Sequence, residues 1–255
     1  MKKTKHFLTV DNKFIIVTPV YNSEKYITEC IDSILSQEYN NYELCVMDDC
    51  STDGTWDHIG VMCNSRRPFN MCRNEYRIAS PLANIVKAIE LFALDDEDII
   101  CIVDGDDKLA HNLVFKELNE VYQNNEIWMT YGQFIPLSGK YGPYCEEIVN
   151  PENHRKNKGW KASHLKTFRK KLWDKIKDED LRDDKGRYFK FIGDAALIYP
   201  MVEMCGNEHM RFISKVNYLY NDLNPINELT IARKEQLRLS DIIWSRPAYM
   251  KLNSL

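Results

Sequence analysis

The chain has 255 residues, of which 44% are hydrophobic and 11% aromatic, a composition that supplies a sizeable core for one domain and excludes an intrinsically disordered protein. The formal net charge is −4, so no overall basic field favours nucleic acid as a partner. No apolar run approaches the roughly 20 residues that cross a bilayer, and the eight cysteines form no C-x-x-C pair, so we expect a soluble, cytoplasmic protein with reduced thiols and no transmembrane segment.

Strands and helices alternate along the first hundred residues. Short apolar runs bounded by turn-forming residues predict buried strands, and apolar side chains at helical spacing predict the helices between them. The predicted order is strand 14–17, helix 26–35, strand 42–47, a helix from residue 55, helix 82–94 and strand 99–103. This alternation predicts an α/β fold with a Rossmann-like, mostly parallel central sheet flanked by helices.

The second half of the chain has weaker periodicity. The predicted order is helix 112–123, strand 127–131, a polar loop 138–159, helices 165–176 and 194–204, strand 212–220 and helix 230–244. Loops as long as 138–159 are uncommon without a role. Closure over a substrate and contact with a second subunit, in a homodimer, are both open interpretations of this loop.

Three polar clusters follow directly after the predicted strands of the first half. They are residues 18–22, 48–54 and 104–107. In parallel α/β sheets, ligands bind beyond the carboxyl ends of the strands. The shared position of the three clusters therefore predicts a ligand site at this edge of the sheet.

The third cluster, Asp104-Gly105-Asp106-Asp107, places three carboxylates within four residues. Like charges this close repel one another, and Mg²⁺ or Mn²⁺ between them would remove the repulsion and bridge to a diphosphate. Gly105 would let the backbone approach a ligand. A solvated acidic turn before a helix explains the same residues equally well, because Asp suits a helix N-terminus.

Two further carboxylates have both a functional and a structural interpretation. Asp49, in the pair that follows the second strand, is suited to accept a hydrogen bond from a base or ribose, or to stabilise the turn and cap the next helix. Asp194 starts a predicted helix in apolar surroundings, which suits either a general base or a helix N-cap.

Histidine and arginine supply the remaining candidates. His164 and His209 lie near apolar segments, where a histidine either packs or contacts a phosphate, a metal or an acceptor. Arg73 and Arg77 precede a predicted helix in the first half and are suited to meet a phosphate or base. A solvated surface arginine is the alternative for either.

Four stretches stand in order along the first half of the chain: VTPVYN (17–22), ILSQ (34–37), DDCSTDGT (48–55) and VDGDD (103–107). The ordered set resembles family-2 glycosyltransferases, which have the GT-A (nucleotide-diphospho-sugar transferase) fold. The resemblance covers about the first 125 residues. It divides one continuous catalytic domain into a donor half, 1–125, and an acceptor half with a C-terminal helical extension, 126–255.

The resemblance implies a role for each residue of these motifs. The first stretch would line a uracil and ribose pocket, and Asp49 would bond the uracil edge. The D-x-D motif, with Asp107 extending it, would hold the ribose and a diphosphate bound to Mn²⁺ or Mg²⁺. The donor-binding residues are then Thr18, Val20, Tyr21, Asp49, Arg77, Asp104 and Gly105, and the metal ligands are Asp104, Asp106 and Asp107.

In the second half, Gly193-Asp194 followed by EMCG (203–206) resembles the acidic motif that precedes the acceptor-site helix of the family. The resemblance makes Asp194 the base that deprotonates an acceptor hydroxyl, although the family usually has Glu-Asp where this chain has Gly-Asp. The stretches SHLKTF (163–168) and YLYN (218–221) are also similar to some members, but imply no chemical role.

The predicted function is metal-dependent, inverting transfer of a hexose from a UDP-sugar, such as UDP-glucose, to a hydroxyl of a glycan or protein-linked sugar. A collagen-like protein is one acceptor to test. Aromatic residues of the second half, which would stack on a sugar or belong to the core, are Trp128, Tyr131, Tyr141, Tyr144 and Trp160.

Two alternatives remain. A non-catalytic nucleotide-sugar-binding module predicts binding without turnover. A nucleotidyltransferase should carry a glycine-rich phosphate loop after the first strand, where this chain has VTPVYN.

Overall fold

The computed structural model describes residues 10–65, 69–142, 144–158, 160–226 and 233–255. The strands are β1 Phe14–Val20, β2 Tyr42–Asp48, β3 Phe69–Arg73, β4 Ile99–Ile102, β5 Lys108–Leu109, β6 Met129–Pro136, β7 Ser163–Arg169 and β8 Met210–Tyr220. The helices are α1 Ile27–Leu35, α2 Thr55–Ser65, α3 Pro81–Phe92, α4 Val114–Tyr122, α5 Pro151–His154, α6 Lys170–Trp173, α7 Gly193–Cys205 and α8 Arg233–Ser245, with a 3₁₀ helix at Asp178–Leu181.

The strands of the described residues form one mixed sheet in the order β3-β2-β1-β4-β7-β6-β8-β5. The first four strands in this order run parallel, as does the pair β6 and β8. The antiparallel strand β7 lies between β4 and β6 and joins the two groups. The α/β fold with a mostly parallel sheet is confirmed, and the sheet continues through both predicted halves of the chain.

The core has one layer on each face of the sheet. Successive residues of β1 alternate between the layers, because neighbouring side chains of a strand point to opposite faces. Ile15 and Val17 pack on the α3 and α7 side, whereas Phe14 and Ile16 pack on the α1 and α4 side. Helices on both faces leave the carboxyl ends of β1, β2 and β4 together at one edge, where the polar clusters lie.

The predicted helix 165–176 is wrong. Its first part is β7, which is buried along its whole length between β4 and β6, and only the four residues of α6 are helical. Leu165, Phe168 and Leu172 have helical spacing, but pairing on both edges decides the conformation. The short edge strand β3, which pairs with β2, was not predicted.

The other predicted elements of the second half agree with the structure in type. The strand predicted at 127–131 starts two residues later and continues to Pro136, and the polar loop contains the single turn of α5. Of the predicted helix 230–244, residues 230–232 lie outside the described residues, and α8 covers the remainder.

All eight cysteines are free thiols, which agrees with the prediction from their spacing. Across the described residues, no helix combines the length and the apolar character that crossing a bilayer requires.

Candidate active site

A cleft of about 1210 Å³ opens at the predicted edge of the sheet. Its lining residues include Tyr21, Asp49 and Arg77, which we call the Tyr21 end, and the acidic motif 104–107. Asp194 and several aromatic side chains also line the cleft, and we call this part the Asp194 end. The structure therefore has a cavity beyond the strand ends, where the sequence predicted a ligand site, and ligand binding there stays a prediction.

Gly105 allows the ends of β1 and β4 to pack closely. A Cβ atom at this position would lie 2.8 Å from the Cβ of Val20 and 3.1 Å from the carbonyl oxygen of Pro19. The Gly105 amide also donates to that carbonyl at 3.2 Å. Close packing against β1 therefore requires glycine at this position. The expectation that Gly105 lets the backbone approach a ligand stays a prediction.

Asp107 anchors the acidic motif to the end of β8. Its Oδ2 accepts a hydrogen bond from the Tyr218 hydroxyl at 2.7 Å, and its Oδ1 accepts one from the Asn221 amide at 2.7 Å. The side chain is buried. The stretch 218–221, to which the sequence assigned no role, therefore holds Asp107 in place.

Asp106 lines the cleft and is held differently from Asp107. Its Oδ2 accepts a hydrogen bond from the Asn224 side-chain amide at 2.7 Å. Asn224 was not predicted as a site residue, because its contact with residue 106 depends on the chain folding back after β8.

The three carboxylates of the motif oppose one another's ionisation. Burial raises the pKa of Asp104 to about 7, although the Lys166 charge works against this rise. Burial also raises the pKa of Asp106. Burial, with the charges of Asp106 and Asp104, raises the pKa of Asp107 well above its ordinary value. A bound cation would relieve both the repulsion and the cost of burial.

The donor set of this cluster suits a divalent cation. Asp104, Asp107 and His164 each bring one ligand atom within 4.8 Å of the others. Carboxylate oxygens are ligands that Mg²⁺ and Mn²⁺ accept. His164, which the sequence analysis gave as a candidate for metal, phosphate or acceptor contact, lies beside these carboxylates.

Lys166 lies next to this cluster and was missed by the sequence analysis. Its side chain is fully buried, and its Nζ lies 2.6 Å from Asp194 Oδ2 and 3.3 Å from His164 Nδ1. Lys166 pairs with Ile102 across the antiparallel β4–β7 ladder, two residues before Asp104. Because the sequence predicted a helix here, it did not indicate that Lys166 lies next to this cluster.

Asp194 lies in the first turn of α7, and its side chain keeps 39% of its surface exposed in the cleft. The N-cap interpretation is wrong, since Ile192 occupies the cap position and no side chain caps the helix. Burial would raise the pKa of Asp194, but the charge of Lys166, the interaction with His164 and the hydrogen bond from Lys166 outweigh it, and the pKa is lowered. Asp194 is therefore ionised at neutral pH.

Packing explains why residue 193 is a glycine and not the glutamate that the family usually has at this position. A Cβ atom there would lie 2.8 Å from the Cβ of Leu82, at the start of α3. The close approach of α7 to α3 thus leaves no space for the glutamate that the family usually has before the aspartate.

At the other end of the cleft, Asp49 organises the loop between β3 and α3. Its Oδ1 accepts from the Asn74 side chain at 2.9 Å and from the Ile78 amide at 2.8 Å, and its Oδ2 accepts from the Ala79 amide at 2.7 Å. These bonds support the turn-stabilising interpretation. A contact from Asp49 to uracil stays a prediction.

The loop that Asp49 holds carries Arg77 over Tyr21. The guanidinium carbon lies 3.6 Å from the centroid of the tyrosine ring, and both residues line the cleft, as does Val20. Thr18 is fully buried and does not line the cleft. Arg73 pairs instead with Asp48, at 3.0 Å, which makes it a structural residue.

The predicted aromatic residues divide into two groups. Trp128 and Tyr131 are buried in the core, and the Trp128 ring stacks on His209 with 3.5 Å between centroids. Lining the cleft are Tyr141, Tyr144 and Trp160, together with the unpredicted Tyr199 and Trp244. Trp160 meets Tyr199 edge to face at 5.7 Å, and the Trp244 ring nitrogen donates to the Tyr199 hydroxyl at 3.5 Å. We call these three rings the aromatic wall.

The chain is similar to bacterial glycosyltransferases. An uncharacterized glycosyltransferase from Haemophilus influenzae is 32% identical over 122 residues, which are 47% of this chain and 46% of that protein. The Escherichia coli protein WfaP, named as a UDP-Glc:alpha-D-GlcNAc-diphosphoundecaprenol beta-1,3-glucosyltransferase, is 30% identical over 110 residues, 42% of this chain and 42% of that protein. The matched segments span less than half the length of these relatives.

Solved structures share the fold. S. aureus TarS 1-349 in complex with UDP-GlcNAc superposes with a TM-score of 0.71 and 22% identity, over 91% of this chain and 65% of that chain. Mannosyltransferase PcManGT from Pyrobaculum calidifontis, in complex with GDP-Man and Mn²⁺, superposes with a TM-score of 0.60 and 17% identity, over 94% of this chain and 67% of that chain. The predicted GT-A fold is confirmed. The profile of glycosyl transferase family 2 matches residues 15–182, well over half of the chain, and the chain therefore belongs to this family.

Proposed function

We propose that this chain transfers a sugar from a nucleotide-diphosphate sugar to an acceptor hydroxyl. The observation that carries the proposal is one cleft that is lined by the acidic motif, by the Tyr21 and Arg77 side chains and by the ionised carboxylate of Asp194. A UDP-sugar is the donor we favour, because TarS is solved with UDP-GlcNAc and WfaP is named for UDP-Glc. The transferred sugar is then a hexose such as glucose or a relative of it.

The donor would lie between the Tyr21–Arg77 end of the cleft and the acidic motif. Asp49 and Val20 would border the base, and Asp104 would contact the ribose. The Arg77 guanidinium is a donor that suits an anionic ligand.

Asp104 and Asp106 would hold Mn²⁺ or Mg²⁺, while the hydrogen bonds of Asp107 to Tyr218 and Asn221 keep the motif in position. Such a cation supplies charge that stabilises the departing diphosphate. The raised pKa of Asp106 and the proximity of the Asp104 and Asp107 carboxylates support cation binding here, and PcManGT is solved with Mn²⁺.

Asp194 would accept the proton of the acceptor hydroxyl as the hydroxyl attacks the anomeric carbon. Its lowered pKa keeps the carboxylate ionised at neutral pH, and its exposed fraction leaves it accessible from the cleft. A base on the opposite side of the sugar from the diphosphate gives inversion at that carbon.

The aromatic wall at the Asp194 end would receive the acceptor. Flat rings such as Trp160 and Tyr144 at the cleft offer stacking surfaces for a sugar, which supports a glycan or a protein-linked sugar as acceptor. A collagen-like acceptor, a homodimer and a cytoplasmic location stay predictions.

Donor hydrolysis tests the proposal. UDP-, GDP- and dTDP-sugars are incubated with Mn²⁺ or with EDTA, using wild type, Asp106→Asn and the exposed control Asp57→Asn. We expect metal-dependent release of UDP from one donor, lost in Asp106→Asn and kept in Asp57→Asn. No release, with no metal-dependent nucleotide binding, would contradict the donor site, and binding without release would indicate the non-catalytic module.

A further inference from the structure

Beyond the acidic motif and Asp194, a third charged group belongs to this site. We propose that Lys166 is a positioning residue of the transfer reaction, whose buried ammonium holds the Asp194 carboxylate and the His164 ring in one arrangement beside the acidic motif. The inference rests on the proposed function, because it assigns Lys166 a task in the same reaction.

The burial of Lys166 requires charged partners. Its side chain has no exposed surface, and lysine is almost never fully buried unless its charge is paired. The partners of Lys166 all belong to the cleft. Asp194 and His164 contact it directly, and the charges of Asp104 and Asp107 also act on it. A lysine that served only the core would have no reason to meet four groups of one site.

The fold brings these partners together from separate elements. β7 supplies Lys166 from the interior of the sheet, next to β4, whose end carries Asp104. α7 supplies Asp194 in its first turn, where no side-chain cap restrains the helix start. The 2.6 Å contact from Lys166 Nζ to Asp194 Oδ2 therefore links the sheet to this carboxylate.

The ion pair has two opposing effects on Asp194. It lowers the basicity of the carboxylate, which by itself slows proton abstraction. It also fixes Oδ2, so that Oδ1 is the oxygen presented to the acceptor hydroxyl, and a displacement of about 1 Å in such a site costs on the order of 100-fold in rate. The two effects predict opposite results when Lys166 is removed, which makes the positioning role testable.

Lys166 also determines the tautomer of His164. A charged lysine only donates hydrogen bonds, so the Nδ1 atom that lies 3.3 Å from Nζ must accept, and the ring proton of the neutral imidazole lies on Nε2. His164 then offers an N–H donor to an anionic oxygen of the site. In this arrangement its lone pair at Nδ1 is not available to a metal.

The test uses steady-state UDP release with donor and acceptor for Lys166→Met and Lys166→Gln. The matched control is Lys161→Met, which removes a lysine whose ion pair with Glu146 is exposed. We expect kcat to fall on the order of 100-fold in both Lys166 variants, with the donor KM and the Kd of UDP unchanged. The control should match wild type in all three quantities. An unchanged or increased kcat would overturn the positioning role, because the more basic Asp194 would then act equally well without Lys166.

Chemical rescue gives a second readout that a purely structural lysine would not produce. Lys166→Ala opens a cavity, and methylammonium or ethylammonium should restore part of its kcat. Tetramethylammonium, which has no N–H group to donate, should not. Equal effects of all three ions, or of none, would count against the inference.

The outcomes separate the two proposals. An inactive wild-type enzyme overturns the proposed function and this inference with it. An active wild type with unaffected Lys166 variants overturns this inference alone. We expect the variants to fold, because Asp194 keeps 39% exposure and can be solvated, and thermal unfolding with UDP binding verifies this. Loss of the fold in all three variants would make Lys166 structural and overturn the inference.

Discussion

The two ends of the cleft are held by different kinds of interaction. In the part of the cleft proposed for the donor, which includes the acidic motif, Asp49 accepts three hydrogen bonds and Asp107 accepts two, so buried carboxylates tie loops and strand ends together. At the acceptor end, Asp194 is held by its ion pair with Lys166, and the Tyr141 and Tyr144 rings keep 42% and 51% of their surface exposed.

If the proposed function holds, the difference indicates a preorganised donor site beside a more adjustable acceptor site. Changes at the donor end should therefore affect stability and nucleotide affinity, because they leave buried polar groups without partners. Changes at the acceptor end should affect turnover and acceptor preference while the nucleotide still binds. Each of the following predictions challenges this distinction, in order of decreasing effect.

The largest effect is expected from Asp194→Asn. The amide cannot accept the acceptor proton, and general base catalysis contributes on the order of 100- to 10,000-fold, so kcat should fall by that range while the Kd of UDP is unchanged. UDP release with acceptor and calorimetric UDP binding measure the two quantities. Asp184→Asn, at an exposed ion pair with Arg238, is the control. A variant that keeps most of its turnover would remove Asp194 from the role of base.

Tyr218→Phe should affect the donor end and the stability of the fold. The change removes the hydroxyl that donates to Asp107 and accepts from the Asp104 amide at 3.1 Å, and leaves both groups buried without that partner. We expect the free energy of unfolding to fall by about 1–3 kcal/mol, measured by urea denaturation, with weaker UDP binding. Tyr76→Phe, at a ring that is 73% exposed, should change neither. Unaltered stability in Tyr218→Phe would mean that Asp107 is not an anchor.

Trp160→Leu should affect the acceptor end only. Loss of the ring removes a stacking surface and its edge-to-face contact with Tyr199, so the acceptor KM should rise by the equivalent of about 0.5–1.5 kcal/mol. The donor KM should not change. Trp128→Leu provides the contrast, because its buried ring should influence stability rather than acceptor binding. A rise in donor KM for Trp160→Leu would contradict the separation of the two ends.

The smallest effect is a shift in the pH dependence of kcat in Lys166→Met. In wild type, Lys166 and His164 outweigh burial and lower the pKa of Asp194, so the base form persists as the pH falls below neutral. Lys166→Met removes the charge and the hydrogen bond that lower this pKa and leaves burial, which raises it. The acid limb of the kcat profile should therefore move to higher pH in the variant. If the acid limbs of the wild-type and variant kcat profiles coincide, Lys166 does not control the ionisation of Asp194.

The donor end was predictable from sequence because its information is local. An apolar strand followed by DGDD places three carboxylates at a strand end whatever lies elsewhere in the chain. The same argument gave Asp49 its position after β2. It did not predict that Asp49 accepts hydrogen bonds from the loop that carries Arg77, because the contact between Asp49 and Ala79 spans 30 residues of sequence.

The acceptor end was only partly predictable. The helical pattern from Asp194 to Met204 was confirmed as α7, yet Lys166 was assigned to a helix. Leu165 and Phe168 suit either a helix or a buried strand, and no short-range signal separates the two.

By itself, the sequence determined the alternation of strands and helices in the first half of the chain apart from β3, the parallel pairing there, and the edge at which the polar clusters gather. Only the tertiary structure decided that β7 lies between β4 and β6 and that α7 begins above it with Asp194 beside Lys166. The physical reason is that periodicity and turn chemistry act over a few residues, whereas a buried ion pair exists only after the sheet and the helix have packed and excluded water around it.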